Sequence, residues 1–242
     1  MRYLMTFSYD GSNFYGYQVQ NNKRTVQGEI ENCLTKINGN KKVKIVGSGR
    51  TDRGVHAIGQ RAHFDFKEVD VLKLQTSLNK LLPLDIYIKK IENVPDDFHA
   101  RFDVVKKEYI YKINMGEYNP LKYNYEYQLN QKLNINKMKD AAKHLIGEHD
   151  FKAFTKTDEE KDDFVRTIYN IDFDCTNDIL TIKFEGSGFL RYMVRNIVVL
   201  LVEVGLEKAL PNVALDVLES CDRTKGFKTF SPNGLYLNKV YY

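Results

Sequence analysis

The feature that most restricts the fold of this chain is its hydrophobic periodicity, which switches between the period of a strand and that of a helix. In the first half, the periods predict a strand at residues 1–9, a helix at 26–37, strands at 43–45 and 63–66, a helix at 71–81 and a strand at 86–91. The resulting order, β-α-β-β-α-β, is that of the split βαβ or ferredoxin-like unit.

The second half repeats this order with one additional helix. The periods predict a strand at 109–113, a helix at 135–145, a hairpin of 165–174 and 180–184 around Asn177-Asp178, helices at 190–204 and 213–218, and a strand at 236–241. We therefore predict an α+β fold with two ferredoxin-like lobes, residues 1–100 and 101–242, whose sheets are mostly antiparallel. A paired arrangement of this kind leaves a cleft between the lobes, and we expect the functional site there.

Composition excludes several classes of protein. With 242 residues, of which 43% are hydrophobic, the chain can bury a full core and is not a disordered protein. Cys33, Cys175 and Cys221 form no CxxC pair, which argues against a disulfide framework or a zinc module and indicates a reducing cytoplasm. The N-terminus lacks the apolar core of a signal peptide, and the longest apolar run, 197–202, is far shorter than the roughly 18 residues of a membrane span. We expect no membrane association.

The positive charge is modest in total but clustered along the sequence. The formal net charge of +4 is compatible with nucleic-acid binding without being specific for it. Basic residues concentrate in two segments, 41–61 and 101–112, and the second surrounds Tyr109 and Tyr111. Basic residues interleaved with aromatic ones suit an RNA backbone and its bases. Ordinary solvated lysines explain either segment, taken alone, about equally well.

Residues 47–56, GSGRTDRGVH, lie between two predicted strands and carry the strongest chemical signal. Their glycines permit tight turns and the close approach of a ligand. Asp52 is flanked by Arg50 and Arg53, and nearby positive charge keeps a carboxylate ionised, as a nucleophile or a general base requires. The alternative, a connecting loop in which Asp52 only forms a salt bridge, stays open. The phosphate-binding patterns GxxxxGK[ST] and GxGxxG are absent from the sequence.

Arg195 stands out because its predicted helix is apolar on most sides. A buried guanidinium needs a carboxylate partner, for which Asp52 of the other lobe is a candidate. On the polar side of the helix, Arg195 would instead meet only water. Tyr109 and Tyr111 share one side of their predicted strand, and one or both are candidates for stacking on a displaced base. The histidines show no metal-binding spacing, so we expect neither a metal nor another cofactor.

Several short motifs occur in the same order as in one known family. GRTDRGVH at 49–56, followed by Gly59-Gln60, resembles the signature loop of the tRNA pseudouridine synthase A family, which usually reads GRTDAGVHxxGQ. Further segments resemble the other blocks of that family, namely YDG at 9–11, YGYQVQ at 15–20, FHARF at 98–102, YIY at 109–111, MVRN at 193–196 and GLYL at 234–237. The resemblance therefore covers nearly the whole chain.

The resemblance implies a cofactor-independent isomerase that converts uridine to pseudouridine in tRNA, at positions 38, 39 or 40 of the anticodon stem-loop. It also implies a homodimer. By the same resemblance, Asp52 is the catalytic nucleophile, Arg50 and Arg195 hold it, and Tyr109 packs against the target base. The remaining candidates for substrate binding are Arg53, His56, Gln60 and Arg101.

Three single positions and one short segment depart from the usual pattern of the family. Arg53 replaces Ala, Tyr17 replaces Trp, Arg191 replaces a common His, and residues 230–232 replace an Ala-Pro-Pro type run. None is a proposed catalytic residue. Because Arg53 and Arg191 would alter which RNA enters, a relative acting on other uridines of tRNA or on ribosomal RNA stays open. A non-catalytic RNA-binding module is the alternative from a different class, since ferredoxin-like lobes with exposed aromatics bind RNA without chemistry.

Overall fold

The computed structural model describes residues 1–156 and 163–242. Contacts between Cα atoms divide the chain into two compact units: unit 1 is Met1–Val105 with Tyr236–Tyr242, and unit 2 is Lys106–Leu235. Each unit combines helices with a mostly antiparallel sheet, which confirms the predicted α+β class.

Unit 1 begins with the six elements that the sequence predicts. They are β1 (Arg2–Tyr9), α1 (Val26–Ile37), β2 (Ile45–Gly47), β3 (His56–Asp65), α2 (Val71–Leu81) and β4 (Ile86–Val94). Strand β1 lies between β4 and β3, β2 pairs with β3, and all these pairings are antiparallel. This is the strand order of a split βαβ unit.

The helices of unit 1 begin at capping side chains and bury one apolar face. The Thr25 hydroxyl accepts a hydrogen bond from the amide of Gly28 at the start of α1, and the Asp70 carboxylate accepts from two amides at the start of α2. The core also contains fully buried side chains of β1, each of which stabilises the fold by about 1.5–3 kcal/mol. The buried residues of these three elements include Tyr3, Met5, Phe7, Val26, Ile30, Cys33, Leu34, Leu74 and Leu78.

Strand β3 is longer than the sequence predicts. The apolar pattern indicates a strand at 63–66, whereas β3 begins at His56 and pairs with β1 as far as the Tyr9–Ala57 pair. Gly59 and Gln60 interrupt the apolar alternation, which concealed the first half of the strand. As a result, His56 lies in the sheet, and the loop between β2 and β3 ends just before it.

Unit 2 contains the elements of the second predicted set except the final strand, together with two short strands that were not predicted. They are β5 (Lys106–Asn114), β6 (Tyr127–Gln128), α3 (Ile135–Lys143), β7 (Gly147–Asp150), β8 (Val165–Thr176), β9 (Ile179–Gly186), α4 (Met193–Gly205) and α5 (Val213–Ser220). The order β5–β9–β8–β7 is antiparallel, and β6 adds in parallel to β5. The predicted hairpin is confirmed: Asn177 and Asp178, with φ of +50° and +62°, join β8 to β9.

Helix α4 is buried along most of its length, and along it only Arg195 and Glu203 are partly exposed. It begins at Met193, three residues after the predicted start at residue 190, because Tyr192 adopts a left-handed φ of +66°. In the parts of the chain that the structure describes, no helix has both the length and the apolar character needed to cross a membrane.

The last strand, β10 (Leu235–Tyr241), lies from Tyr236 onward in a different unit from the one predicted. It pairs in parallel with β3 through Tyr236–His56 and Leu237–Ala57, and the amide of Val105 donates to the carbonyl of Tyr241 at 2.9 Å. Residues 236–242 therefore group with unit 1, whereas the sequence placed them in the lobe 101–242. Periodicity identifies a strand but not its partner, which is why the sequence did not reveal this assignment.

Candidate active site

Asp52 lies half-buried at the tip of the loop between β2 and β3, in unit 1. The loop turns back on itself through a hydrogen bond of 3.1 Å from the amide of Val55 to the carbonyl of Asp52, with Gly54 at a φ of +80°. Such a φ is strained for a residue with a side chain. A glycine at position 54 thus allows the chain to present Asp52 on a short turn.

Buried hydroxyl groups anchor the loop next to Asp52. The Tyr9 and Thr51 hydroxyl oxygens are 2.8 Å apart and both side chains are buried. Burial raises the pKa of Tyr9, so its hydroxyl keeps its proton and can donate. The carbonyl of Thr51 accepts from the amide of Tyr17 at 3.1 Å. These bonds fix the residue immediately before Asp52.

Two glycines let the opening segment of the chain pack directly against the loop. A Cβ atom on Gly11 would lie 2.0 Å from the carbonyl oxygen of Val55. A Cβ atom on Gly16 would lie 3.0 Å from the carbonyl oxygen of Thr51, and Gly16 itself has a φ of +93°. The backbone of residues 11–16 thus supports the loop at distances that exclude a side chain.

Gln60 holds the other end of the loop from the core. Its side chain is fully buried, its amide oxygen accepts from the Ser48 hydroxyl at 2.7 Å, and its amide nitrogen donates to the carbonyl of Gly49 at 3.1 Å. A buried amide with both ends bonded is costly to remove. These contacts favour a positioning role for Gln60 over direct contact with a substrate.

His56 also lies in the core, with 2% of its side chain exposed. Its Nδ1 accepts from the amide of Gly11 at 3.1 Å, and its ring stacks on Tyr236 with centroids 4.7 Å apart. Asp10 Oδ1 is also 3.1 Å from Nδ1, but it accepts from the amide and hydroxyl of Ser12. With the Gly11 amide and the Asp10 carboxylate both next to Nδ1, His56 holds the segment that follows β1 from within the core.

The arginines of the loop are exposed. Arg50 and Arg53 flank Asp52 in sequence, and the Arg53 guanidinium carbon lies 4.4 Å from the centroid of the Tyr15 ring. Arg101, also exposed and in unit 1, lies near Phe102, with its guanidinium carbon 5.8 Å from the ring centroid. Not every basic residue of the segments 41–61 and 101–112 is available to a ligand. Arg61 Nη2, for example, lies 3.7 Å from Glu92 Oε1 and forms a salt bridge.

In unit 2, the two tyrosines of β5 have different environments. Tyr109 retains 9% of its surface and contacts Phe189 edge-to-face, with ring centroids 5.2 Å apart. Tyr111 is fully buried, its hydroxyl donates to the carbonyl of Ser231 at 2.7 Å, and burial raises its pKa well above the usual value. Tyr111 is therefore a core residue, and of the two candidates only Tyr109 retains surface for a base.

Arg195 occupies the first turn of α4. Its Nε donates to the carbonyl of Phe230 at 2.7 Å, and its guanidinium carbon lies 4.9 Å from the centroid of the Tyr192 ring. The side chain is partly exposed, so it avoids the full cost of a buried charge. The sequence did not reveal the roles of Phe230 and Tyr192. Their only signals were an aromatic residue before the MVRN motif and a departure from the family pattern at 230–232.

The predicted site residues thus fall into two groups, one in each unit. Within the described residues, 1–156 and 163–242, no group of three or more His, Cys, Asp or Glu side chains is arranged to hold a metal ion. Unit 1 contributes Asp52, Arg50, Arg53, His56, Gln60 and Arg101, and unit 2 contributes Tyr109 and Arg195.

A half-buried carboxylate between two exposed arginines combines a reactive group with positive charge that suits an anionic partner such as RNA. The sequence model of one family, described as tRNA pseudouridine synthase, matches residues 5–103 and 141–242. The tRNA pseudouridine synthase A of Listeria monocytogenes serotype 4b is 48% identical over 246 residues, covering 100% of this chain and 99% of the relative. The Bacillus subtilis (strain 168) protein of that name is 45% identical over 245 residues with the same coverage. The chain belongs to the tRNA pseudouridine synthase family and is an isomerase of RNA uridines.

Proposed function

We propose that this enzyme converts uridine to pseudouridine in the anticodon stem-loop of tRNA, at position 38, 39 or 40, with Asp52 as the nucleophile and without a cofactor. The observation that carries the proposal is the support of the Asp52 loop. Thr51 is bonded to Tyr9, Val55 lies against Gly11, and Gln60 holds Gly49. Preorganisation of this kind is what a reacting carboxylate requires.

The chemistry is an exchange of one bond for another within the nucleotide. The bond between N1 of uracil and C1′ of ribose breaks, the uracil rotates, and C5 bonds to C1′ while the C5 proton is lost and N1 gains one. Asp52 either attacks C1′ and forms a covalent ester, or acts as a base and gives a glycal-like species. Both routes require an ionised carboxylate and leave the composition of the RNA unchanged.

The other predicted residues fill the roles that this chemistry creates. The target uridine must leave its stack before Asp52 can reach it. Arg50 and Arg195 are proposed to keep Asp52 ionised and oriented toward C1′ of the ribose. Tyr109, whose ring contacts Phe189, is proposed to pack against the displaced base. The substrate-binding residues would be Arg53 and Arg101, with His56 and Gln60 acting through the loop that they hold.

The exposed basic residues favour a tRNA partner. Lys41, Lys42, Lys44, Arg50, Arg53 and Arg101 are all exposed. Contacts from these residues to phosphates would displace counterions, so we expect the affinity for tRNA to fall steeply as salt rises. An affinity that stays constant over a fourfold change in salt concentration would contradict this binding surface.

We also propose a cytoplasmic homodimer, because a tRNA is large relative to a chain of 242 residues. The assembly is testable by light scattering together with turnover. A protein that remains monomeric at micromolar concentration and is fully active would rule the dimer out.

A second candidate substrate is a uridine elsewhere in tRNA or in ribosomal RNA. This alternative is favoured by Arg53, the residue that follows Asp52. Its exposed side chain lies over the Tyr15 ring, where it would alter which RNA enters. Pseudouridine mapping of total RNA from cells with and without the gene, followed by the purified enzyme acting on unmodified tRNA, separates the candidates. We expect loss of pseudouridine in the anticodon stem-loop alone. Loss at other sites would support the second candidate, and no loss would contradict both.

A further inference from the structure

Two cations share one exposed aromatic ring beside Asp52. The Tyr15 ring, in a residue that is 39% exposed, lies 4.5 Å from Lys23 Nζ and 4.4 Å from the Arg53 guanidinium carbon. Within residues 1–156 and 163–242, neither cation has a carboxylate oxygen within 4.0 Å. The three side chains therefore form a patch of positive charge that the described residues do not neutralise.

The backbone of this patch is held firmly. The amide of Tyr15 donates to the carbonyl of Arg24 at 2.9 Å, and its carbonyl accepts from the side chain of Gln20 at 2.7 Å. Arg24, next to Lys23, forms two hydrogen bonds with Asp85, at 2.7 and 2.8 Å. The patch is thus tied to the core of unit 1.

The position of the patch follows from the packing of Gly16. A Cβ atom on Gly16 would lie 3.3 Å from the amide nitrogen of Arg53 and 3.4 Å from the carbonyl carbon of Asp52. Tyr15, one residue earlier, is consequently placed beside the loop that presents Asp52. An anion on the patch would lie next to whatever Asp52 acts on.

The ring explains why the two cations stay in place despite their mutual repulsion. A cation is attracted to the face of an aromatic ring, and a guanidinium also stacks on it with its hydrogen-bonding edge still free. An Arg edge matches two oxygens of a phosphate, while a Lys ammonium binds a phosphate as a point charge. A phosphodiester of an RNA backbone has the charge and the oxygen atoms that such a pair of cations binds.

We propose that Arg53 and Lys23 grip a backbone phosphate of the substrate RNA beside the target uridine, with Tyr15 as the residue that positions both cations. The proposal rests on the proposed function, because it takes the RNA as the ligand of the Asp52 loop. It adds a binding role for Lys23 and a positioning role for Tyr15.

The test compares the purified full-length protein with Arg53→Ala, Lys23→Ala, Tyr15→Leu and Tyr15→Phe. Lys73→Ala on α2 is the matched control, because it removes an exposed charge outside the patch. The probe is unmodified tRNA transcript. Equilibrium affinity across a salt series, KM, kcat and the unfolding midpoint are measured for each variant.

Arg53→Ala is expected to weaken RNA affinity roughly tenfold, as loss of one charge-assisted contact implies. The slope of log affinity against log salt should fall by about 0.7–0.9 for each lost phosphate contact. Lys23→Ala should act in the same direction. Tyr15→Leu should raise KM more than it lowers kcat, and Tyr15→Phe, which keeps the ring, should restore both the affinity and the salt slope.

Two results would overturn the proposal. One is a salt slope in Arg53→Ala and Lys23→Ala equal to that of Lys73→Ala. The other is a Tyr15→Phe variant as weak in RNA binding as Tyr15→Leu while both unfold at the wild-type midpoint. Failure of the proposed function is distinguishable, since it would show as absent pseudouridine in the wild-type reaction, whereas failure of this proposal leaves that reaction intact.

Discussion

The Asp52 loop of unit 1 and the start of α4 in unit 2 each present a charged side chain, but the chain holds them by different means. Around Asp52, the contacts are hydrogen bonds and backbone approaches from residues of the motifs themselves, such as Gly11, Gln60 and Thr51. Arg195 is held by the carbonyl of Phe230 and by the ring of Tyr192. The comparison shows that residue types alone can reveal the first arrangement but not the second.

The difference has an energetic consequence. A backbone approach that excludes a Cβ atom cannot adjust to a larger residue, so substitutions there act on the whole loop. A cation over a ring and a hydrogen bond to a carbonyl are weaker and more adaptable than such an approach. We therefore expect substitutions of the glycines packed against the Asp52 loop to appear as losses of stability, and changes around Arg195 to appear mainly as losses of turnover.

The largest effect is expected for Gly11→Ala. The new Cβ atom would lie 2.0 Å from the carbonyl oxygen of Val55, so the loop or β1 must move. We expect the free energy of unfolding to fall by about 3 kcal/mol, the upper end of the usual cost of overpacking. Gly188→Ala is the control, since its Cβ atom would approach no closer than 3.8 Å, and urea denaturation of both variants measures the difference. Equal stability of the two variants would contradict the close packing described for the loop.

A smaller effect on stability is expected for Tyr192→Gly in unit 2, because this substitution makes one favourable and one unfavourable contribution. Glycine removes the strain of the left-handed φ, which is worth about 1–2 kcal/mol, and loses ring contacts to two arginines worth about 0.5–1 kcal/mol each. Stability should therefore change by less than about 1 kcal/mol, while turnover falls because Arg195 loses its contact with the Tyr192 ring.

Cys221→Gly is the matched control for this substitution, because Cys221 also has a left-handed φ, of +48°, and has no proposed role. It should gain stability and keep wild-type turnover. If Tyr192→Gly also kept full turnover, the ring would have no part in holding Arg195.

Some of these structural features could be predicted from the sequence, and others could not. The periods of β1, α1 and α2 identified their elements because one face of each is buried. The bond between Arg195 and Phe230 spans 35 residues of sequence, and no local pattern encodes it. The left-handed Tyr192 gave no signal either, since such a φ is expected of glycine or asparagine.

The candidate site was predictable to the same degree. Motif resemblance identified Asp52 and Arg195 as candidates. The burial of the other candidates could be known only from the fold. It distinguishes Tyr111 from Tyr109 and shows that His56 and Gln60 are core residues. The roles of these residues in catalysis and binding stay predictions.

The smallest expected effect is a dependence of stability on pH, which should differ between the two units. His63 Nδ1 accepts from the amide of Ala100 at 3.0 Å, and burial lowers the pKa of His63. The unfolded chain therefore binds a proton at a higher pH than the folded one. The stability that His63 contributes is full above its unfolded pKa, near 6.5, and is lost as pH falls through the lower folded pKa.

Unit 1 should consequently lose stability in this acidic range, whereas the histidines of unit 2, His144 and His149, are partly exposed. Hydrogen exchange of β3 and of β9 between pH 7 and pH 5 measures the contrast, and His63→Gln should weaken the pH dependence of β3. Equal pH dependence of the two strands would count against a neutral His63 as a support of unit 1.

Single-turnover formation of pseudouridine by Asp52→Ala tests most directly whether Asp52 is the reacting carboxylate. Tritium release from C5-labelled tRNA would be measured beside the RNA affinity and unfolding midpoint of the same variant. We predict no detectable pseudouridine, an RNA affinity equal to or above that of the wild type because a negative charge is removed, and a folded protein. Substantial pseudouridine formation by folded Asp52→Ala would contradict the account.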